Sequence, residues 1–164
     1  MIDVPTGIVI PVVEEERISR VEVDHFTDYQ KVIGGYFQVI ELANPSASLY
    51  MDEEGKMKGL PLNHRATLLM WLHNPAFRQR DYVCGPALLL GQPDRGGVTQ
   101  SVPQSLEALL FGTVKYKFEV QTVDDPDAWN SNQKRYDDWV DAYNEALSLA
   151  ERWMAVERVR VVPA

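Results

Sequence analysis

The chain has one cysteine, Cys84, in 164 residues. A single thiol forms no internal disulfide and supplies no zinc cage, so a reducing cytoplasm is the expected location. Histidine is nearly as scarce, with only His25, His64 and His73. No two of them stand four residues apart, the spacing at which a helix offers two imidazoles to one zinc ion. His64 and His73, nine residues apart at about 100° each, point to opposite sides of a helix. No metal and no cofactor is expected. Positive charge is also short: 16 Lys and Arg face 24 Asp and Glu, a formal charge of -8. Residues 1–91 and 92–164 each hold 8 basic and 12 acidic side chains, so neither part is a basic arm. Phosphate backbones repel such a chain and basic protein surfaces attract it, which disfavours direct nucleic-acid binding. The apolar start "MIDVPTGIVIPVVEEER" is interrupted by Pro5, Gly7 and Pro11 and has no positive charge before it. It reads as neither a signal peptide nor a membrane span, which needs about 20 apolar residues. There is no internal repeat, no low-complexity tract and no G-x-x-x-x-G-K-[ST] phosphate loop.

What is present is core material. Apolar side chains make up 45% of the residues, and a chain near this size hides roughly 68–70% of its unfolded surface. Ile8 to Val13 and "RISRVEV" predict two short strands across Glu14–Glu16. "TDYQKVIGG" predicts a helix capped by Thr27 with Gln30 as its capping-box partner and Gly34 as its left-handed exit. Strands follow at Tyr36–Leu42 and 46–52, and Gly55 is expected to reverse the chain with a positive φ. Asn63 is placed to cap a helix that Pro75 ends, and "RDYVCGPALLLG" reads as a mostly buried strand. Beyond the Gly/Pro-rich break after Gly91, Ser101 and Gln104 form a second capping box opening a helix that Gly112 closes. "TVKYKFEVQTV" alternates as a strand buried on one face, and "DDPDAWNSN" reads as a loop. The longest helix spans about 133–154, with an apolar stripe of Tyr136, Trp139, Val140, Tyr143, Leu147, Ala150 and Met154. "VERVRVV" ends the chain as a strand. The expected class is α+β: a small mixed sheet with short helices on one side, then a C-terminal extension of strand, long helix and strand. The expected division is an α+β module at 1–91, a linker at 92–104 and a helix-strand-helix-strand extension at 105–164 packed on the first module.

Two groups of residues are candidate sites. In "DEEGKMKGLPLNHR", Glu54, Lys56, Asn63, His64 and Arg65 could surround a corner where a helix N-terminus offers amides to a small anion or nucleotide. The same residues also read as a turn followed by a cap. In the long helix, Asp137, Asp141 and Glu145 fall at four-residue steps, about 6 Å apart along the axis, with Asp138 beside them. Asp124, Asp125 and Asp127 lie just upstream. With Trp129, this acidic surface could occupy a basic groove on a partner, or be a solvated helix face diluted by Lys134 and Arg152. Cys84, inside "YVCGPALLLG", reads as a small buried hydrophobe rather than a nucleophile.

Read together, "KVIGGYFQVIEL", "LYMDEEGKMKGLPLNHRAT" and "GPALLLG" resemble an uncharacterised family of small bacterial, plasmid and phage proteins, domain of unknown function number thirty-eight forty-six. The resemblance covers about Arg17 to Gly91, with Asp52 where the family often has Asn, and leaves the tail from Gln92 without a counterpart. It implies an α+β module carried on mobile elements, often in actinobacteria and their phages, and brings no catalytic residues. "AYNEALSLAERW" is faintly similar to a signature of acidic antirestriction proteins that mimic DNA, with Ala146 in place of a glycine. Together these readings lead to the expectation of a non-enzymatic, cytoplasmic interaction protein of a phage or plasmid that binds a host protein with a basic surface, as an antidefence or DNA-mimic inhibitor. The alternative expectation is a small-anion or nucleotide-binding protein, with hydrolysis as an option, using residues 53–65. The oligomeric state is not readable from the sequence.

Overall fold

The computed structural model describes residues 4–164; the first three residues of the expected N-terminal reading lie outside them. The protein is α+β and divides into two compact units, one running to Glu107 and the other spanning Ala108–Ala164.

The first unit is built on a five-stranded sheet of β1 (Thr6–Ile10), β2 (Ser19–Glu22), β3 (Phe37–Leu42), β4 (Ala47–Asp52) and β5 (Ala87–Leu90), in the order β2-β1-β5-β4-β3. Every pairing is antiparallel, where the sequence led us to expect a mixed sheet. The reason is topological: two hairpins, β1–β2 and β3–β4, flank β5, which enters between them antiparallel to both neighbours. The register Val9↔Leu88 and Tyr50↔Leu88 sends these three side chains to one face, and Ile8↔Leu89↔Leu49 sends the next three to the other. Because β4 and β5 are buried at every position, their sequences lack alternation. Only four residues of the expected strand around Cys84 join the ladder; Cys84 itself makes an isolated bridge with Leu62.

Helix α1 (Phe26–Ile33) covers the Tyr50 face through Ile33, with Tyr29, Val32 and Phe37 packed alongside. The ring centroids of Tyr29 and Phe37 are 5.4 Å from each other and 5.2 and 5.4 Å from that of Tyr50. Burial, aided by Tyr29 and Glu41, pushes the Tyr50 phenol up to about 12. The cap is not Thr27. The N-cap is His25, two residues earlier, and the Asp28 carboxylate accepts from the His25 and Asp24 amides at 3.0 and 2.9 Å, which holds its pKa below the usual carboxylate value. Gly34 does take the left-handed exit, at φ 88°. Helix α2 (His64–His73) starts at Asn63 and stops before Pro75, as expected.

The segment expected as a linker is tied to the first sheet. Gly91 N–H donates to Gln100 O at 3.0 Å, and Val102 N–H donates to Thr6 O at 2.9 Å. Thr6 N–H in turn donates to Ser101 Oγ at 2.9 Å, so the Ser101 hydroxyl serves β1 instead of capping a helix. In helix α3 (Gln104–Phe111) the Leu106 and Glu107 amides donate to Pro103 O, each at 3.0 Å, and the division between the units falls inside the helix.

The second unit has its own antiparallel sheet, β7-β6-β8, made of β6 (Tyr116–Thr122), β7 (Asp125–Asn130) and β8 (Val156–Pro163). β6 alternates as predicted: Tyr116, Phe118, Val120 and Thr122 are buried, and the residues between them are half-buried. Helix α4 (Trp139–Arg152) packs on β6 and β8 with Trp139, Tyr143, Ala146 and Leu147 buried. It is shorter than expected. Tyr136 exchanges both backbone hydrogen bonds with Tyr116 at 2.8 Å, which holds the preceding segment extended. The helix begins only where Asp138 Oδ1 accepts from Val140 N–H at 2.7 Å. The expected loop at "DDPDAWNSN" contains β7, an edge strand, where proline and charge are tolerated because one side needs no ladder partner.

Candidate functional site

The corner between β4 and α2 is assembled from its buried polar groups. Asp52 ends β4 with its carboxylate almost wholly buried; Oδ1 accepts from Glu54 N–H at 2.8 Å and Oδ2 from Lys58 Nζ at 2.7 Å. That contact with Asp52 raises the Lys58 pKa. The next residues form a tight turn in which Leu60 N–H donates to Gly55 O at 2.9 Å. Gly55 does not adopt a positive φ; Gly59 does, at 70°. Gly55 is required for another reason, since a Cβ there would lie 2.7 Å from Cys84 O. The chain then runs beside residues 83–85, with Asn63 N–H donating to Val83 O at 2.7 Å and Gly85 N–H to Pro61 O at 2.8 Å.

Asn63 is fully buried. Its Oδ1 accepts from Ala66 N–H at 3.1 Å, and its Nδ2 donates to Ile10 O at 2.9 Å and Gly85 O at 3.0 Å. One side chain therefore starts α2 and ties it to β1 and to the entry of β5. Arg65, also buried, donates from one guanidinium nitrogen to Pro11 O at 2.8 Å and Val13 O at 3.0 Å. Lys56 pairs with Asp81, which raises its pKa, and lies 4.5 Å from the centroid of the Tyr82 ring. Glu54 is exposed, and His64 is half-buried as the first residue of α2. The five corner residues are neighbours in sequence, but Asn63, Arg65 and Lys56 each turn to different partners elsewhere in the unit. Asp52, Lys58 and Asp81 complete the corner: the Asp52–Lys58 pair is local, six residues apart in the chain, whereas Asp81 meets Lys56 only on folding.

Cys84 is a half-buried free thiol whose pKa burial raises, with Lys56 opposing. This shift runs away from a reactive thiolate. His73 is buried; its Nδ1–H donates to Ala43 O and Asn44 O, each at 3.2 Å, and desolvation lowers its pKa to about 4. Among the described residues no group of three or more His, Cys, Asp or Glu is placed to hold a metal ion, and no helix is long and apolar enough to cross a membrane.

In the second unit the structure separates the residues that the sequence grouped. Asp137 precedes α4 and pairs with Lys115, while Asp138 is the N-cap. Asp141 and Glu145 lie on the exposed side of α4 and, after desolvation, help to raise the Tyr136 pKa. Trp129 belongs to the sheet. The Arg160 guanidinium sits 4.0 Å from its ring centroid and reaches Glu119 Oε1 at 2.7 Å from one nitrogen and 2.8 Å from another. Among the described residues, none of Asp124, Asp125, Asp127, Asp141 and Glu145 forms an ion pair. Met154, expected on the buried stripe, is 97% exposed, because α4 ends at Arg152.

The family described as Domain of unknown function (DUF3846) matches residues 6–115. The chain belongs to the DUF3846 family. The match is wider than the expected Arg17 to Gly91: it takes in β1 and the segment through α3, which the hydrogen bonds of Thr6 join to the sheet. The corner is thus part of the DUF3846 domain, while β6, β7, α4 and β8 follow its end. Comparison with curated proteins and with solved structures gave no match.

Proposed function

We propose that the protein is a non-enzymatic binding module whose second unit engages a basic surface on a partner protein. The supporting observation is the set of five exposed carboxylates, Asp124, Asp125, Asp127, Asp141 and Glu145, that lack an ion pair among the described residues. Carboxylates with a structural task here have visible partners, as Glu119, Asp137 and Asp138 do. Unpaired like charges repel one another, and a complementary basic surface relieves that repulsion and steers association. The mobile-element setting, with a host defence protein as partner in the cytoplasm, rests on the family resemblance alone. The corner at 53–65 gives no comparable support to small-anion binding, because Asn63, Arg65 and Lys56 are engaged internally.

The test is affinity capture from a bacterial lysate at low and at moderate salt. It compares the natural protein with a variant carrying Asp124→Asn, Asp125→Asn, Asp127→Asn, Asp141→Asn and Glu145→Gln. A set of basic proteins recovered by the natural protein, and lost both with salt and with neutralisation, is the expected result. Identical recovery by the two proteins contradicts the proposal.

A further inference from the structure

At the end of the second unit's sheet, three apolar residues stand where turns ordinarily carry small or polar ones. Val123 and Asp124 are the two turn residues of the β6–β7 hairpin, and neither has a positive φ. Two-residue hairpins favour glycine, asparagine and aspartate, so nothing in the turn calls for valine, yet Val123 is 59% exposed. Trp153 is the C-cap of α4, in an extended conformation and 46% exposed, and Met154 follows it. Backbone bonds bring the two turns together: Val123 N–H donates to Ala155 O at 2.9 Å, and Thr122 pairs with Val156.

The surroundings are acidic. Asp124, Asp125 and Asp127 lie on the hairpin, and Glu151 and Glu157 flank the α4–β8 turn, all exposed. Among the described residues of these two turns and their flanks, Arg152 and Arg158 bring positive charge against these five carboxylates, and Arg152 also donates from Nε to Ser148 O at 3.2 Å. An apolar knob inside an acidic rim discriminates among occupants. A second copy would bring aspartates against aspartates, and an anionic membrane would repel the rim. A protein surface with an apolar pocket bordered by Lys or Arg satisfies both parts.

We infer that Val123, Trp153 and Met154 form the apolar anchor of the partner interface, with the hairpin aspartates as its charged border. This deepens the binding reading above and rests on it. Buried aromatic anchors dominate interface energetics, and rim charges act mainly on association rate and salt dependence.

The test titrates two labelled synthetic peptides, one an amphipathic helix of leucine and lysine and the other lysine alone, into four forms of the protein. These are the natural protein, Trp153→Ala, Met154→Ser and the five-carboxylate variant. Binding of the leucine-lysine peptide is expected to weaken roughly tenfold in Trp153→Ala and Met154→Ser, with lysine-peptide binding unchanged by either. Met154→Ser keeps the test decisive if Trp153→Ala unfolds, because that side chain is almost fully exposed. Equal leucine-lysine binding by the natural protein and Met154→Ser overturns the anchor. If that binding is still lost in the five-carboxylate variant, the general binding reading stands. Failure of both peptides to bind the natural protein counts against both proposals. Self-association of the natural protein that Met154→Ser abolishes also overturns the anchor, in favour of a second copy.

Discussion

Asn63 and Asp141 are both short polar residues at the start of a helix, and their surroundings differ in every respect that matters. Asn63 is sealed from solvent and makes three hydrogen bonds to backbone groups of α2, β1 and the entry of β5. Asp141 stands in the first turn of α4, exposed, where the helix dipole favours its charge by a few tenths of a kcal/mol. The same contrast separates the DUF3846 corner from the exposed side of the second unit. In the corner the buried polar groups replace water for one another, and losing one strands its partners. On α4 and the β6–β7 hairpin the carboxylates keep their hydration, so fold stability does not depend on them. A conspicuous polar motif is therefore a poor guide to recognition until its internal partners are identified.

The sharpest way to break this comparison is Asn63→Ala. It removes the cap and leaves Ile10 O, Gly85 O and Ala66 N–H without their side-chain partner, a cost of about 3–4 kcal/mol. Urea unfolding should show it, and a loss below 1 kcal/mol would mean that the corner is less structural than its geometry states. His73 comes next. It is neutral in its buried site, with a folded pKa near 4 against an ordinary value of 6.5. The unfolded chain therefore binds the proton first. This contribution is fully present above pH 6.5 and falls away as pH drops towards 4, by about 3 kcal/mol. Comparing the pH dependence of stability for the natural protein and His73→Gln isolates it: the variant should show the shallower fall in that window, and parallel curves would contradict the assignment.

A smaller effect is expected at Thr67, whose Oγ1 donates to Asn63 O at 2.8 Å and accepts from Val83 N–H at 3.0 Å. Thr67→Val keeps the shape and strands the Val83 amide, at about 1–2 kcal/mol. Smaller still is Arg160→Ala. Its half-exposed guanidinium bridges Trp129 and Glu119, and about 1 kcal/mol is expected from the ion pair and ring contact together. A larger loss would move the open side of that sheet into the structural class.

Some of this was readable from local sequence because the physics is local. The Asn63 cap, the stop before Pro75, the Gly34 exit and the alternation of β6 each depend on residues within one turn or one strand. What stayed hidden depends on partners far along the chain. Gly55 reads as a positive-φ reversal, but glycine is needed there because a Cβ would lie 2.7 Å from the Cys84 carbonyl oxygen. Tyr136 fell on a helical period by coincidence, and its bridge to Tyr116 keeps it extended. Asp137 then left the expected row of acids for Lys115. Met154 fitted the apolar stripe, but the helix ended two residues before it. Of the acids singled out in the sequence, Asp141, Glu145 and the hairpin aspartates are exposed without an ion pair among the described residues, and in the corner Asn63 and Arg65 donate to backbone carbonyls.

The central claim is that the five exposed carboxylates without an ion pair, Asp124, Asp125, Asp127, Asp141 and Glu145, have no part in holding the fold. The most direct measurement is the urea unfolding midpoint, at low salt and neutral pH, of the variant carrying Asp124→Asn, Asp125→Asn, Asp127→Asn, Asp141→Asn and Glu145→Gln. Removing mutual repulsion should leave the midpoint equal to that of the natural protein or slightly above it, within about 0.5 kcal/mol of stability. A loss of about 2 kcal/mol or more would contradict the claim and return those residues to a structural role.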